Sequence, residues 1–184
     1  ASPVITESTP LANPFWKYSR DKADCEALLM QLHREKGFPV TIVRPSHTYD
    51  ETKVPVGLHG DKGSWQVLHR MRAGKPVLVH GDGTSLWTFT HARDFARGFA
   101  GLAGNIHAIG EAVHITSDES LTWNQAYAVL ADILQVPLKA LHVPSRFLAA
   151  CGNAAGYALE GPLLGDKANS VIFDNTKLKR LAPG

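Results

Sequence analysis

A helical pattern that leads directly into an apolar strand constrains the fold of this chain more than any other feature. Gly37 is the predicted stop of the helix, and the apolar run at residues 40–44 follows it, closed by Pro45. A helix that feeds a buried strand is the repeating unit of a parallel α/β sheet, so the sequence predicts an α/β fold. The apolar residues that recur at i, i+3, i+4 and i+7 and predict the core-facing side of the helix are Cys25, Leu28, Leu29 and Leu32.

The rest of the chain alternates short apolar runs with helical patterns, as expected for an α/β protein. Thr122, with Gln125 three residues later, forms a capping box that marks the start of one helix. Residues 1–17 and 51–63 lack a periodic pattern and contain Pro or Gly, so both are predicted to be loops. The other predicted strands are 77–80, 86–91, 112–116, 141–143 and 171–173, and the other predicted helices are 64–73 and those beginning near 92, 145 and 175.

Charge and hydropathy exclude several classes of function. With 184 residues and 44% apolar content, the chain has enough apolar material for one domain, or for one domain with a small lobe. The net charge of +2 is spread without a long basic run, so neither nucleic acid nor a membrane surface is an expected partner. No apolar run approaches the roughly 20 residues of a membrane span, and we expect a cytoplasmic protein.

The cysteines and histidines do not follow the spacing of a metal site. Cys25 and Cys151 lie far apart in predicted helices, so we expect free, buried thiols rather than a disulfide framework. None of the nine His residues stands in an HxH, HxxxH or HExxH arrangement. We therefore predict that the chain binds no metal.

Tyr18 and Lys22 are the strongest candidates for chemistry. Lys22 is the fourth residue after Tyr18, so the two side chains lie on one face of the predicted helix. A cation beside a phenol favours the phenolate form, which would let Tyr18 exchange a proton near neutral pH.

Four segments taken together resemble the second half of extended short-chain dehydrogenases/reductases, the family of NAD-dependent sugar epimerases and dehydratases. The similarity spans nearly the whole chain, and no single motif in it is strong. The segments that carry it are 18–22 with 40–45, 81–83 with 89–96, 110–117 with 120–122, and 173–181.

The resemblance implies a fold and a domain organisation. We expect the C-terminal part of a Rossmann-like parallel sheet, formed by residues 1–50 and 77–105, and a small α/β substrate-binding lobe formed by 51–76 and 106–184. In the family, a strand with a Gly-rich turn holds the dinucleotide, and a catalytic Ser or Thr lies some two dozen residues before the Tyr. Neither has a counterpart here, so we expect a C-terminal portion that is inactive alone and is completed by the missing half or by self-association.

The resemblance also implies how NAD or NADP would be held. Tyr18 would move the proton of a substrate hydroxyl, and Lys22 would hold the nicotinamide ribose. Pro45 and His47 would touch the nicotinamide end of the cofactor, where the family often has Asn in place of His47. A His that titrates near pH 6.5 would make that contact sensitive to pH.

Substrate contacts are expected from His47, Tyr49, Trp87 and Arg93, by the same resemblance. Trp87 stands where sugar-nucleotide enzymes carry an Arg that grips the substrate diphosphate, and an indole has no charge for that role. This argues against a nucleotide-sugar substrate unless Arg93 or another Arg supplies the charge. In the family, the loop at residues 1–17 runs beside the substrate, and the alternative is a plain linker.

Three further interpretations remain open in the sequence. Residues 98–104 have GxxGxxG spacing, but they lie within a helical pattern, so we expect small residues for close helix packing rather than a pyrophosphate turn. Asp94 is expected to cap a helix, with His91 as a structural neighbour, although both could serve a site. The alternative to an enzyme of any kind is a non-enzymatic binding or regulatory module that keeps the fold.

Overall fold

The computed structural model describes residues 4–183 and confirms the predicted α/β class. The α-helices are α1 Lys17–Lys36, α2 Trp65–Arg72, α3 Ala92–Leu102, α4 Trp123–Ile133, α5 Ser145–Ala154, α6 Glu160–Pro162 and α7 Thr176–Leu181, with a 3₁₀ turn at Ile106–Ala108 and a π-helical turn at Leu163–Lys167. The strands are β1 Ile42–Pro45, β2 His47–Tyr49, β3 Val77–His80, β4 Leu86–Trp87, β5 Phe89–His91, β6 Ala112–Ile115, β7 Leu121–Thr122 and β8 Ala140–Val143.

Three of the four strand pairs are parallel. Strand β1 pairs with β6, β2 with β5, and β3 with β8, whereas the short strands β4 and β7 are antiparallel. In the first pair, Ile42 lies opposite Ala112 and Pro45 opposite Ile115. The chain reaches each parallel partner through a crossover that includes a helix, as parallel strands require.

Two apolar clusters organise these elements. The lobe core joins α2, α4, β3 and β4, and its buried members are Val56, Val67, Leu68, Met71, Val77, Val79, Trp87, Trp123 and Tyr127. The sheet core lies where β6 and α3 meet, with residues of β1 and α7 packed against it, and its buried members are Leu102, Ala108, Val113 and Ile115.

This packing differs from the predicted domain ranges in two places. Strand β3 was predicted to lie with the Rossmann-like part, but it pairs with β8 and contributes Val77 and Val79 to the lobe core. Strand β6 and helix α7 were predicted to lie in the lobe, but β6 pairs with β1 and α7 packs on the sheet core. Short apolar strands look alike in sequence, so only the pairing assigns them to one part or the other.

Helix α1 and strand β1 expose surfaces that the sequence predicts to be buried. Helix α1 has no buried residue, and Leu28 is 57% exposed. Cys25 and Cys151 are exposed, so the prediction of buried thiols is wrong. Within the described residues, β1 is paired only with β6, which leaves its other edge without a partner strand. On the apolar stripe of α1, Leu29 and Leu32 are half-buried while Cys25 and Leu28 are exposed, so residues 4–183 cover the stripe only in part.

Three local features differ from the predictions. Strand β2 was not predicted, and the predicted strand 86–91 divides at Thr88. The division arises because β4 pairs with β7 while β5 pairs with β2, and the Thr88 hydroxyl donates to the Val171 carbonyl between them. The predicted strand 171–173 forms only an isolated bridge between Phe173 and Ile5.

Two of the three glycines of the GxxGxxG segment serve packing, as expected. Gly98 and Gly101 lie inside α3, and a Cβ at Gly98 would come within 2.9 Å of Ile115 Cγ2. A Cβ at Gly101 would come within 2.7 Å of the Ala182 Cβ. These two glycines therefore let α3 approach β6 and the end of the chain closely.

Candidate functional site

The start of helix α1, which carries Tyr18 and Lys22, is held by Asn13. The Asn13 side-chain oxygen accepts from the backbone N–H groups of Phe15 and Trp16, at 3.1 and 3.0 Å. The Asn13 amide donates to the Gly165 carbonyl at 2.7 Å. Trp16, the N-cap residue, makes no side-chain capping bond, so Asn13 fixes the two residues that precede the helix and also ties them to the π-helical turn.

Tyr18 and Lys22 lie together on an open face of α1. The Lys22 Nζ lies 5.5 Å from the centre of the Tyr18 ring, within the range of a cation–π contact. The centre of the Trp16 ring lies 5.0 Å from the centre of the Tyr18 ring. Tyr18 is 56% exposed, and Asp21 is paired with Lys17 rather than with Lys22. The predicted pairing of Tyr18 with Lys22 is present.

Pro45 and His47 follow at the C-terminal end of β1, where ligands bind in parallel α/β sheets. Pro45 is exposed, and the Ser46 hydroxyl donates to the Thr88 carbonyl at 2.7 Å, which fixes the step from β1 to β2. The His47 ring packs edge-on against Phe89 and Trp123, at 5.7 and 6.3 Å between ring centres.

His47 is neutral over the physiological range, contrary to the expectation that it titrates near pH 6.5. Burial lowers the pKa of His47 from 6.5 to about 3, and the charges of Lys167 and Lys53 lower it further. Its Nε2 is buried and has no hydrogen-bond partner among the described residues. The aromatic neighbours exclude the water that would stabilise an imidazolium.

The other predicted substrate residues lie along β2, β4 and the start of α3. Tyr49 packs edge-on against His91, whose side chain caps α3 by accepting from the Arg93 N–H. Capping therefore falls to His91 rather than to Asp94, which pairs with Arg97. Arg93 is exposed and bonds Glu51 at 2.5 Å.

Trp87, predicted to contact substrate, is part of the lobe core. It is only 3% exposed, and its ring lies 5.3 Å from the ring of Trp123. Its neutral indole is thus packed against another indole, and the structure presents no open face of this side chain.

A cleft lined by Ser19 and Arg20 of α1 borders a charged network that the sequence analysis missed. The cleft has a volume of about 280 Å³ and lies between residues 5–13, the first turn of α1 and the end of the β1–β6 pair. Arg44 binds both carboxylate oxygens of Glu26 and also donates to the Glu7 carbonyl at 2.9 Å. The Glu7 side chain accepts from the backbone N–H of His114 at 3.0 Å. The sequence signal was present, because Arg44 and His114 are polar residues inside apolar strands.

His114 is a second buried imidazole. It is 2% exposed and packs edge-on against Phe173 at 4.9 Å, with its Nδ1 3.8 Å from the Glu7 carboxylate. Burial lowers the pKa of His114, and the Glu7 carboxylate acts in the opposite direction. Residues 5–13 therefore form an ordered wall of the cleft, joined to the strands through Glu7.

The low pKa of His47 leads to a testable pH dependence of stability. The unfolded chain binds a proton at His47 below pH 6.5, whereas the folded chain resists doing so down to pH about 3. The free energy of unfolding therefore keeps the contribution linked to His47 in full above pH 6.5 and loses it progressively as the pH falls toward 3. At pH 5 the loss is about 2 kcal/mol, from 1.36 kcal/mol per pH unit.

We expect His47→Asn to remove this part of the acid sensitivity. Urea unfolding at pH 8 and pH 5 measures it, and the wild type should lose about 2 kcal/mol more than the variant. His107→Asn, at an exposed position of the 3₁₀ turn, is the matched control and should follow the wild type. Equal losses in His47→Asn and the wild type would contradict the buried, neutral state of His47.

Residues 4–183 lack two further features. No helix there is both long enough and apolar enough to cross a bilayer. No three His, Cys, Asp or Glu side chains gather there in an arrangement that could hold a metal ion.

Comparison with known sequences gives a family and partial relatives. Residues 1–115 match the family described as the NAD dependent epimerase/dehydratase family. A trifunctional UDP-glucose 4,6-dehydratase/UDP-4-keto-6-deoxy-D-glucose 3,5-epimerase/UDP-4-keto-L-rhamnose-reductase of Arabidopsis thaliana is 29% identical over 98 residues, covering 50% of this chain and 14% of that protein. The chloroplast stem-loop binding protein of 41 kDa b from Arabidopsis thaliana is 27% identical over 105 residues, covering 57% of this chain and 25% of that protein.

Comparison with solved structures gives the same fold over nearly the whole chain. A dTDP-glucose 4,6-dehydratase from Streptomyces venezuelae, solved with NAD, superposes with a TM-score of 0.72 at 24% identity, covering 99% of this chain and 49% of that one. A UDP-glucuronic acid 4-epimerase from Bacillus cereus, in complex with UDP-glucuronic acid and NAD, has a TM-score of 0.72 at 20% identity, covering 99% and 51%. This chain thus spans about half the length of these structures and a quarter or less of the two curated relatives.

Proposed function

This chain belongs to the NAD-dependent epimerase/dehydratase family, and from that premise we propose that it forms the catalytic helix and the substrate-binding part of an NAD(P)-dependent enzyme. The substrate class is a nucleotide-sugar-like compound with a reactive hydroxyl or carbonyl group, and the reaction is an epimerisation, dehydration or reduction. The observation that carries the proposal is the exposed Tyr18 ring with the Lys22 ammonium 5.5 Å from its centre, on a helix whose start is fixed.

Tyr18 is the proposed proton carrier. Its hydroxyl would take the proton of a substrate hydroxyl, or return a proton to a carbonyl oxygen, while the bound nicotinamide supplies the site for hydride. Lys22 stabilises the phenolate that forms when Tyr18 has given up its proton, and its remaining N–H groups are available to a ribose hydroxyl. Pro45 and the neutral His47 would border the nicotinamide end of the site and exclude water from it.

The residues present fit only one end of NAD or NADP. Tyr18 and Lys22 are open to a ligand, which suits the nicotinamide and its ribose. At the other end, Gly98 and Gly101 of the segment with pyrophosphate-like spacing are packed inside α3, so that segment does not form the open turn that precedes a helix and binds a phosphate. The open edge of β1 and the apolar side of α1 are where further polypeptide would complete the sheet, either another part of the same protein or a second copy.

This partial fit predicts weak cofactor binding by the 184-residue chain. We expect a dissociation constant for NADH no tighter than about 1 mM, because the pyrophosphate-binding turn contributes most of the fixed contacts to a dinucleotide. Calorimetric titration of the chain, beside the complete polypeptide that the gene encodes, measures it. The complete polypeptide should bind at least about tenfold more tightly.

Two outcomes would contradict the proposal. Micromolar binding by the 184-residue chain would show that Gly98 to Gly104 or another segment holds the pyrophosphate after all. Failure of the complete polypeptide to bind either NADH or NADPH would favour a non-enzymatic module that keeps the fold.

A further inference from the structure

Trp16 connects the Tyr18 ring to a part of the chain that lies far from α1 in the sequence. The Trp16 side chain is half-buried, and its ring plane is tilted by 37° from that of Tyr18, with the ring centres 5.0 Å apart. Rings at this separation attract each other, so Trp16 restricts the motion of a phenol that is otherwise mostly exposed. Within residues 4–183, Trp16 is the aromatic neighbour of Tyr18, and Lys22 is its cationic neighbour.

Two glycines, Gly161 and Gly165, make the space that Trp16 occupies, and we call them the glycine cradle. A Cβ at Gly161 would lie 2.2 Å from Trp16 Cδ1, and a Cβ at Gly165 would lie 3.1 Å from Trp16 Cβ and 2.6 Å from Asn13 Oδ1. Neither glycine has a positive φ, so the backbone conformation does not require glycine at either position. The close approach of Trp16 and Asn13 is what requires it.

The glycine cradle is anchored outside α1. Gly165 lies in the π-helical turn Leu163–Lys167, and Leu163, at one end of that turn, is fully buried against residues of α5. At the other end, the Lys167 carbonyl accepts three hydrogen bonds, from His80 Nε2 at 3.0 Å, from the Ser85 hydroxyl at 2.9 Å and from Trp123 Nε1 at 3.3 Å. Two of these donors belong to residues that are fully buried around Trp123, so the turn is fixed to the lobe core.

Asn13 makes the same connection through hydrogen bonds. Its amide donates to the Gly165 carbonyl at 2.7 Å, and its side-chain oxygen accepts from the Trp16 N–H at 3.0 Å. Arg20, in the first turn of α1, donates to the Asn13 carbonyl at 3.0 Å. Trp16 is therefore held at its side chain by the glycine cradle and at its backbone by Asn13, two residues before Tyr18.

We propose that Trp16, seated in the glycine cradle, is a positioning residue that fixes the Tyr18 ring for proton transfer and couples the lobe core to the helix of Tyr18. The inference rests on the proposed function for the reaction, because Trp16 acts through the Tyr18 hydroxyl. An exposed side chain exchanges among its staggered rotamers, and a displacement of about 1 Å at a reacting group can cost about 10²-fold in rate. The contact with Trp16 removes that freedom before the substrate arrives.

Steady-state kinetics of the complete polypeptide, with NAD and UDP- or dTDP-linked sugars, test the proposal. We expect Trp16→Ala to lower kcat about 10- to 100-fold and to leave KM for both ligands within about threefold of the wild type, since a displaced Tyr18 affects the transition state rather than binding. Trp16→Phe keeps a ring in the cradle and should restore kcat to within about fivefold of the wild type. Phe15→Ala, at a 42% exposed ring next to Trp16 in the sequence, is the matched control and should stay within about twofold.

Gly161→Ala tests the glycine cradle without changing Trp16 or Tyr18. The added Cβ displaces the Trp16 ring, so this variant should lose kcat as Trp16→Ala does, again with little change in KM. Urea unfolding of each variant confirms that the protein is folded under the assay conditions. If Trp16→Ala does not fold, Gly161→Ala and Trp16→Phe decide the question.

Fluorine NMR of the same polypeptide, labelled with 3-fluorotyrosine, reads the position of Tyr18 without catalysis. Tyr18→Phe assigns the resonance, which Trp16→Ala and Gly161→Ala should move toward that of the unfolded chain, whereas Phe15→Ala should leave it in place. An unchanged resonance in Trp16→Ala, wild-type kcat in that variant, or an equal loss of kcat in Phe15→Ala would each overturn the inference. A wild type without turnover would instead contradict the proposed function, and the fluorine resonance then decides alone whether Trp16 fixes the ring.

Discussion

Replacing Tyr18 with Phe is expected to lower turnover by the complete polypeptide about 10²- to 10⁴-fold, the usual cost of removing a general acid or base. The change deletes one hydroxyl from a ring that is 56% exposed and makes no hydrogen bond within residues 4–183, so the fold should be unaffected. The measurement is product formation from UDP- and dTDP-linked sugars in the presence of NAD, followed by mass spectrometry, with unfolding curves to confirm equal stability.

A matched substitution separates proton transfer from any general effect of losing a phenol. Tyr157→Phe also removes one hydroxyl, which donates to the Asp61 carboxylate at 3.0 Å. Both residues are far from α1 in the sequence. That variant should retain turnover within about twofold of the wild type. Retention of more than about a tenth of wild-type activity by Tyr18→Phe would remove Tyr18 from the proposed mechanism.

Trp123→Ala is expected to have the largest effect on stability, a loss of about 3–5 kcal/mol. Trp123 is fully buried, and four rings surround it, those of His47, His80, Trp87 and Phe89. Truncation leaves a cavity at the centre of the lobe core and removes one of the three donors to the Lys167 carbonyl.

Urea unfolding of the variant beside Trp65→Ala measures this effect. Trp65 is 47% exposed and donates one hydrogen bond to the Thr52 carbonyl, so its truncation should cost about 1 kcal/mol or less. A similar loss in both variants would mean that Trp123 does not organise the lobe core.

The sequence predicted those features that depend on local chemistry. Thr122 and Gln125 form the expected capping box, with both reciprocal bonds present. The strand at 77–80 and the helix that ends before Gly37 were also predicted, because apolar periodicity and a glycine in the left-handed region are local signals. The Tyr18–Lys22 pair follows from helical spacing alone.

Features that depend on distant residues were not predictable. Strand β2 is three residues long, and it forms because β5 lies beside it in register. The polar sequence from His47 to Tyr49 contains no local signal for a strand. The state of His47 depends on Trp123 and Phe89, which are remote in sequence, so a titration near pH 6.5 was the wrong expectation.

The sequence analysis did not predict that the Lys167 side chain is mostly buried, for a related reason. In sequence it stands beside Asp166 in a segment rich in glycine and leucine, which is typical of an exposed charged turn. Three donors converge on its carbonyl, and two of them come from residues more than eighty positions away. Pairings at that range are set by tertiary packing and leave no local pattern.

The most direct test of the central claim is a crystal structure of the complete polypeptide with NAD bound. The proposal predicts that the nicotinamide ring lies beside the Tyr18 hydroxyl, and that Lys22 Nζ is within hydrogen-bond reach, about 2.6–3.2 Å, of a hydroxyl of the nicotinamide ribose. A nicotinamide ring bound elsewhere, or a Tyr18 hydroxyl covered by other protein segments, would contradict it.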